Sequence, residues 1–206
     1  MITEIGIHRV QHGNIMNGIE NLMSGLQADF IYSDPPWGQG NLRYWQTINN
    51  RMTNANKEDI NYSQFLSYFF EIIFKYSKDM VVLEYGCQWN SDIKKMSEDV
   101  GFKHNGSTVC FYKSGSKMKP CDLHFLSKKT DITLTNEFIS NCQKKEDLKL
   151  VEYIFDYLNI NKSGLCLDPM CGMGFTAQAA KNRGMRFFGN ELNSKRLEKT
   201  INRLKK

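Results

Sequence analysis

The chain lacks the spacing that builds a metal or disulfide framework. Its six cysteines, Cys87, Cys110, Cys121, Cys142, Cys166 and Cys171, contain no C-x-x-C pair, and its four histidines are scattered. Neither a structural zinc site nor a disulfide scaffold follows from this pattern. No apolar run reaches the roughly 18 residues of a membrane-spanning helix. The opening Met1-Ile2-Thr3-Glu4 lacks the basic-then-apolar character of an export signal. The cysteines are therefore read as reduced packing thiols in a cytoplasmic protein. Internal repeats and low-complexity tracts are absent. So is any signature of a separate nucleic-acid module, such as a zinc finger.

What is present is ordinary globular material. Of 206 residues, 41% are hydrophobic and 12% aromatic, which excludes a disordered chain and suits one domain spanning residues 1–206. Twenty-seven Lys and Arg against 22 Asp and Glu give a formal charge of +5, compatible with a polyanionic partner without establishing one. Short apolar runs at 30–33, 81–85, 109–112, 165–167 and 186–189, with a weaker one at 123–126, read as strands. Helical periodicity separates them at 15–26, 62–76, 91–100, 148–158, 176–182 and 194–204. Alternation of this kind predicts an α/β fold with a mostly parallel sheet. Residues 38–61 are polar, Asn-rich and without a period, and are expected to form a mobile loop.

Two constellations carry chemistry. The first, Asp34-Pro35-Pro36-Trp37, directly follows the strand at 30–33. Ligands of open α/β sheets bind beyond the carboxyl ends of strands. Two prolines make that turn rigid and leave carbonyls free to accept hydrogen bonds. The Asp34 carboxylate and the Pro35 carbonyl can accept from one exocyclic NH₂, while Trp37 offers a flat stacking face. Together they describe a pocket for an amino-bearing base taken out of its helix. The second constellation is the strand at 165–167, then Asp168-Pro169-Met170-Cys171-Gly172-Met173-Gly174, then a helix. This is the first half of a nucleotide-binding βαβ unit. Glu191, at the tip of the next strand, suits the hydroxyls of a ribose. The full dinucleotide pattern is absent and no basic residue follows the loop. That favours a ligand with a ribose and no pyrophosphate, such as S-adenosylmethionine.

Taken together, the motifs resemble those of the amino-group DNA methyltransferases, with D-P-P-W before the cofactor loop as in their circularly permuted β group. Gly13-Asn14 stands where that group carries Gly-Asp, and Phe187-Phe188-Gly189-Asn190-Glu191-Leu192-Asn193 is similar to its aromatic-x-G-x-E segment. The resemblance implies a Rossmann-like class I fold with a mostly parallel seven-stranded sheet. It implies S-adenosylmethionine as cofactor, no metal, and methylation of an exocyclic amine by base flipping, adenine N6 being favoured by the opening Asp. Asp34, Pro35, Pro36 and Trp37 would be catalytic. Asn14, Asp168, Pro169, Met170, Cys171, Gly172, Gly174, Glu191, Leu192 and Asn193 would hold the cofactor.

Several positions depart from the pattern. Asn14 replaces Asp, Met170 replaces Phe, Phe175 follows the loop, and Lys144-Lys145 replaces Lys-Pro. The target-recognition segment is reduced to residues 114–141. Arg43, Arg51, Lys113, Lys117 and Lys119, with Lys128 and Lys129, are expected to line a phosphate-binding cleft. DNA is the expected partner. An N4-cytosine or RNA N6-adenine enzyme is the alternative, as is a catalytically silent nucleic-acid-binding subunit. So short a recognition segment implies either a very short or degenerate target site or contacts borrowed from a homodimer or a partner subunit.

Overall fold

Apolar strand residues of alternating side fill both faces of one sheet in the computed structural model, which describes residues 1–53 and 61–206. Eight strands lie in the order β1-β2-β8-β7-β3-β4-β6-β5. They are β1 (Ile2–Ile5), β2 (His8–His12), β3 (Ala28–Ser33), β4 (Ser77–Tyr85), β5 (Lys103–Ser114), β6 (Lys117–Ser127), β7 (Leu165–Asp168) and β8 (Arg186–Glu191). The five central strands, β2 to β4 in spatial order, are parallel. The edges are antiparallel, β1 on β2 and β4-β6-β5. The count is eight where seven were expected, because Ile2–Ile5 pairs as a half-exposed edge strand across a turn at Gly6.

Alternation divides the core. Phe30, Tyr32, Val82 and Cys166 face one side, where α5 (Asn136–Cys142), α6 (Asp147–Tyr157), α7 (Phe175–Asn182) and α8 (Ser194–Lys205) cover them. Ile31, Val81, Leu83, Leu165 and Leu167 face the other, under α1 (Glu20–Met23), α3 (Tyr62–Tyr76) and α4 (Asn90–Asp99). Both faces of the parallel strands are therefore buried, as the crossover geometry requires. Among the described residues no helix is long and apolar enough to cross a membrane.

Three expectations are corrected. Gly38–Thr53 form a helix, α2, in place of a loop; residues 54–60 of that segment lie outside the described residues. The helix buries Leu42, and the side-chain oxygen of its Gln39 accepts the backbone N–H of Tyr62 at 2.8 Å, at the start of α3. Its polar composition concealed it, since so short an apolar contact leaves no periodic signal. The helix expected at 15–26 is broken into a 3-10 turn at Ile15–Asn17 and the short α1, with Gly18 between them in the left-handed region. Finally, the segment 114–141 is mostly framework. It supplies β6, paired on both sides, and α5, whose Phe138 stacks on Tyr157 at 3.8 Å.

Gly174 caps α7 at φ +80, and a Cβ there would lie 2.6 Å from Thr200 Oγ1 and 2.8 Å from Thr200 Cα on α8. Left-handed backbone costs a non-glycine residue about 1–2 kcal/mol and overpacking about 1–3 kcal/mol. Gly174→Ala should therefore lower the unfolding free energy by about 2 kcal/mol or more. Wild-type stability of that variant in a denaturant titration would contradict this packing.

Candidate functional site

The site follows from where two neighbouring strands part company. β7 and β3 lie side by side, but β7 continues through α7 to β8 on one side and β3 through α3 to β4 on the other. A crevice opens beyond their carboxyl ends. Here it is a cleft of about 820 Å³, within the size range of ligand pockets. Ser33, the last residue of β3, donates its hydroxyl to Asp168 Oδ1 at 3.0 Å, at the end of β7. This one buried bond joins the two sequence constellations.

Asp34, Pro35, Pro36 and Trp37 form one wall. Trp37 Nε1 donates to Asp34 Oδ1 at 2.9 Å, and the indole packs edge-on against Tyr112 at 4.9 Å. Tyr85 donates its hydroxyl to the Pro36 carbonyl at 3.1 Å. The turn is thus held at its second proline carbonyl. Asp34 is open to the cleft yet deeply recessed. That recess, reinforced by the Glu84 and Asp168 carboxylates, pushes its carboxyl above the usual range.

Glu84, in the same wall, was not singled out by the sequence. Tyr32 donates its hydroxyl to Glu84 Oε2 at 3.0 Å, and the Cys121 thiol donates to Oε1 at 3.5 Å. Cys110 and Cys121, directly opposed in the β5–β6 ladder, place their sulfurs 3.1 Å apart. Burial pushes the Glu84 carboxyl up against those hydrogen bonds. The available signal was a carboxylate inside the apolar run Val-Val-Leu-Glu-Tyr, which ordinarily reads as a solvent-facing strand residue.

The loop after β7 forms the opposite wall. Met170, Cys171, Gly172 and Gly174 line the cleft with Asp168. Glu191 fixes the loop by accepting from Gly172 N at 2.8 Å and Asn193 N at 2.7 Å. Gly172 sits at φ +47, and a Cβ on it would meet nothing nearer than 4.0 Å. The missing side chain therefore leaves room for a ligand against the backbone. Asn190, another lining residue, donates Nδ2 to the Pro169 carbonyl at 3.2 Å, while its buried Oδ1 has no partner among the described residues. Burial raises the Asp168 carboxyl to about 7, despite the hydrogen bonds from Thr176, Met170 N and Ser33.

The remaining expected residues divide. Asn14 and Leu192 line the cleft, but the Asn14 oxygen already accepts from Met16 N at 3.1 Å as the cap of its turn. Pro169 and Asn193 sit behind the loop, the latter capping α8. Lys145 lies over the Tyr153 ring, and the cleft residue of that segment is Asp147, at φ +49. Lys113 is on the rim; Lys117 and Lys119 are exposed beyond it, and Arg43 is exposed on α2. The Arg51 side chain lies outside the described residues. Lys128 and Lys129 are at the far end of the sheet, where Asp79 accepts both backbone N–H groups at 2.8 Å.

No protein-family model matches the chain, and no curated protein matches it by sequence. Solved structures do. M1.HpyAVI in its SAM complex aligns with a TM-score of 0.63 and 18% identity over 95% of this chain and 98% of that one. TTHA0409, a putative DNA modification methylase from Thermus thermophilus, gives 0.64 and 18% over 96% and 94%. The cytosine-N4-specific PvuII DNA methyltransferase gives 0.61 and 13% over 94% and 85%. Likeness at this level shows the fold, a Rossmann-like α/β arrangement shared with these three proteins.

Burial of the Asp168 carboxyl makes stability depend on pH. Its folded pKa of about 7 lies above the unfolded value of about 3.9. The contribution of its neutral form is therefore full below about pH 4 and lost as the pH rises through about 7. Asp168→Asn should flatten the decline in ligand-free stability between about pH 4 and 7. Parallel pH profiles of thermal unfolding in wild type and variant would contradict it.

Proposed function

We propose that the protein transfers a methyl group from S-adenosylmethionine to the exocyclic amine of a DNA base, adenine N6. The observation that carries this reading is the Ser33–Asp168 bond. It sets an amine-accepting turn and a glycine-lined loop against one cleft. Gly172, Glu191, Asp168 and Leu192 would hold the cofactor, with room for its nucleoside where Gly172 lacks a side chain and Asn190 Oδ1 has no donor among the described residues. When bound, the cofactor supplies an electrophilic methyl group carrying sulfonium charge. The carboxylates of Asp34, Glu84, Asp147, Asp168 and Glu191 all line the cleft and suit such a cation.

The base would leave its duplex and stack on Trp37, which Asp34 and Tyr112 hold in place. Asp34 and the Pro35 carbonyl accept the two amine hydrogens. They leave the nitrogen lone pair aimed at the methyl group. Orientation and fixed acceptors do the work. The order of the chain supports the permuted arrangement. The D-P-P-W half precedes the cofactor half, and α8, at the end of the chain, packs on β1 and β2 at its start. Lys113 on the rim and exposed Lys117, Lys119 and Arg43 offer phosphate contacts.

Asp34→Ala should reduce tritiated methyl transfer to DNA by at least about 100-fold, the usual cost of a lost transition-state hydrogen bond. Calorimetric cofactor affinity should stay close to wild type. Near-normal turnover in the variant would remove Asp34 from the reaction.

A further inference from the structure

Asp34 is not the only carboxyl in its wall. β3 and β4 are parallel, with Tyr32 opposite Val82 and Ser33 opposite Leu83. Continued one residue past the end of β3, that register would set Asp34 opposite Glu84. In a pleated sheet, residues two apart share a face. Tyr32 and Val82 point to the same side, so Asp34 and Glu84 rise side by side from neighbouring strands into one cleft. Strands lie about 4.8 Å apart, so two carboxyls at paired positions are near neighbours. Glu84 is also held still. Tyr32 and Cys121 occupy one oxygen each, and Tyr32 is itself buried. An anchored carboxylate next to an acceptor carboxylate is costly.

Methyl transfer to an amine explains its presence, and the inference rests on the function proposed above. The nitrogen forms a bond to the methyl carbon as the carbon–sulfur bond breaks and its electron pair stays on sulfur. The amine then carries one proton too many and must release it. We propose that Glu84 is a positioning residue for this step, a second carboxyl fixed beside Asp34 that makes the pair the acceptor for the proton the amine gives up. The Trp37 indole occupies Asp34 Oδ1. The proton thus reaches the remaining Asp34 oxygen, and the Glu84 charge favours its staying there until the product departs.

Other charged and titratable groups face the pair. Tyr32 lies beneath it, Tyr112 and Cys110 approach from β5, and Cys121 from β6. Asp147 faces it from α6, itself drawn toward Lys113. Asp168 stands at the end of β7 and Arg196 reaches in from α8. Of these, Asp168 adds to the effect of Glu84 on Asp34 and Arg196 opposes it, while Asp147 acts on Glu84 and favours its neutral form.

The test is single-turnover methylation of duplex DNA as a function of pH, with cofactor binding and thermal unfolding measured on the same proteins. In the wild type the rate should rise with pH as Asp34 ionises. Glu84→Gln should move that rise to lower pH by at least about one unit, the scale expected for removing a neighbouring unit charge. Tyr32→Phe, which deprives Glu84 of its donor and so lets it neutralise more readily, should shift the rise in the same direction by less. An unmoved profile in a folded, cofactor-binding Glu84→Gln protein overturns the proposal. If that variant does not fold, an unmoved profile in Tyr32→Phe overturns it. Absence of methyl transfer by the wild type overturns the functional reading, and this assignment with it.

Discussion

One hydrogen bond, from the Ser33 hydroxyl to Asp168 Oδ1, holds the two halves of the cleft in register. Both residues end central parallel strands whose crossovers run to opposite sides of the sheet. The strand ladder already pairs β3 with β7 through Ile31 and Leu167, and this bond extends the tie to the side chains at their carboxyl ends. With it, the turn that presents Asp34 and the loop that presents Gly172 share one rigid floor. Backbone N–H groups then carry the arrangement outward. Asp168 also accepts from Met170, Glu191 from Gly172 and Asn193, and the Asn190 carbonyl from Cys171. A chain of acceptors thus spans from the middle of the sheet to the tip of β8.

The same floor is electrostatically unbalanced. Five carboxylates line the cleft, against Lys113 and Arg196. Desolvation raises Asp34, Glu84, Asp147, Asp168 and Glu191, and repulsion from other cleft carboxylates adds to it at Asp34, Glu84 and Asp168. A ligand that brings a positive charge relieves this repulsion, and one that has lost its charge does not. Binding and release of a methyl sulfonium donor and its neutral product are therefore favoured by the same side chains. The outer rim has the opposite sign, with Lys113, Lys117 and Lys119 on or near the β5–β6 turn. Cation within and polyanion at the edge is the charge pattern that the two substrates of the proposed reaction require.

Much of this was legible in the chain, for a local reason. Each constellation is a strand followed by a tight turn, and apolar runs such as Phe-Ile-Tyr-Ser and Leu-Cys-Leu mark strands without help from the rest of the fold. The polar turn residues Asp34 and Asp168 could then be placed at strand ends. What the chain did not show depends on pairing. Glu84 looked solvent-facing until the pairing of β4 beside β3 brought it into the same cleft as Asp34. Lys128 and Lys129 looked like cleft residues until β6, antiparallel to β4, carried them to the far end of the sheet. The helix α2 was concealed by its Asn and Gln residues, and β1 by having half its side chains in water.

The central claim is that the cleft accepts an exocyclic amine of a base. It is tested most directly by digesting duplex DNA, after incubation with the protein and S-adenosylmethionine, and identifying the methylated nucleoside by mass spectrometry. The account predicts N6-methyldeoxyadenosine. N4-methyldeoxycytidine would change the base and retain the amine chemistry of Asp34 and Pro35. A methyl group on a ring carbon, or DNA left unmodified by the folded, cofactor-bound protein, would contradict the account.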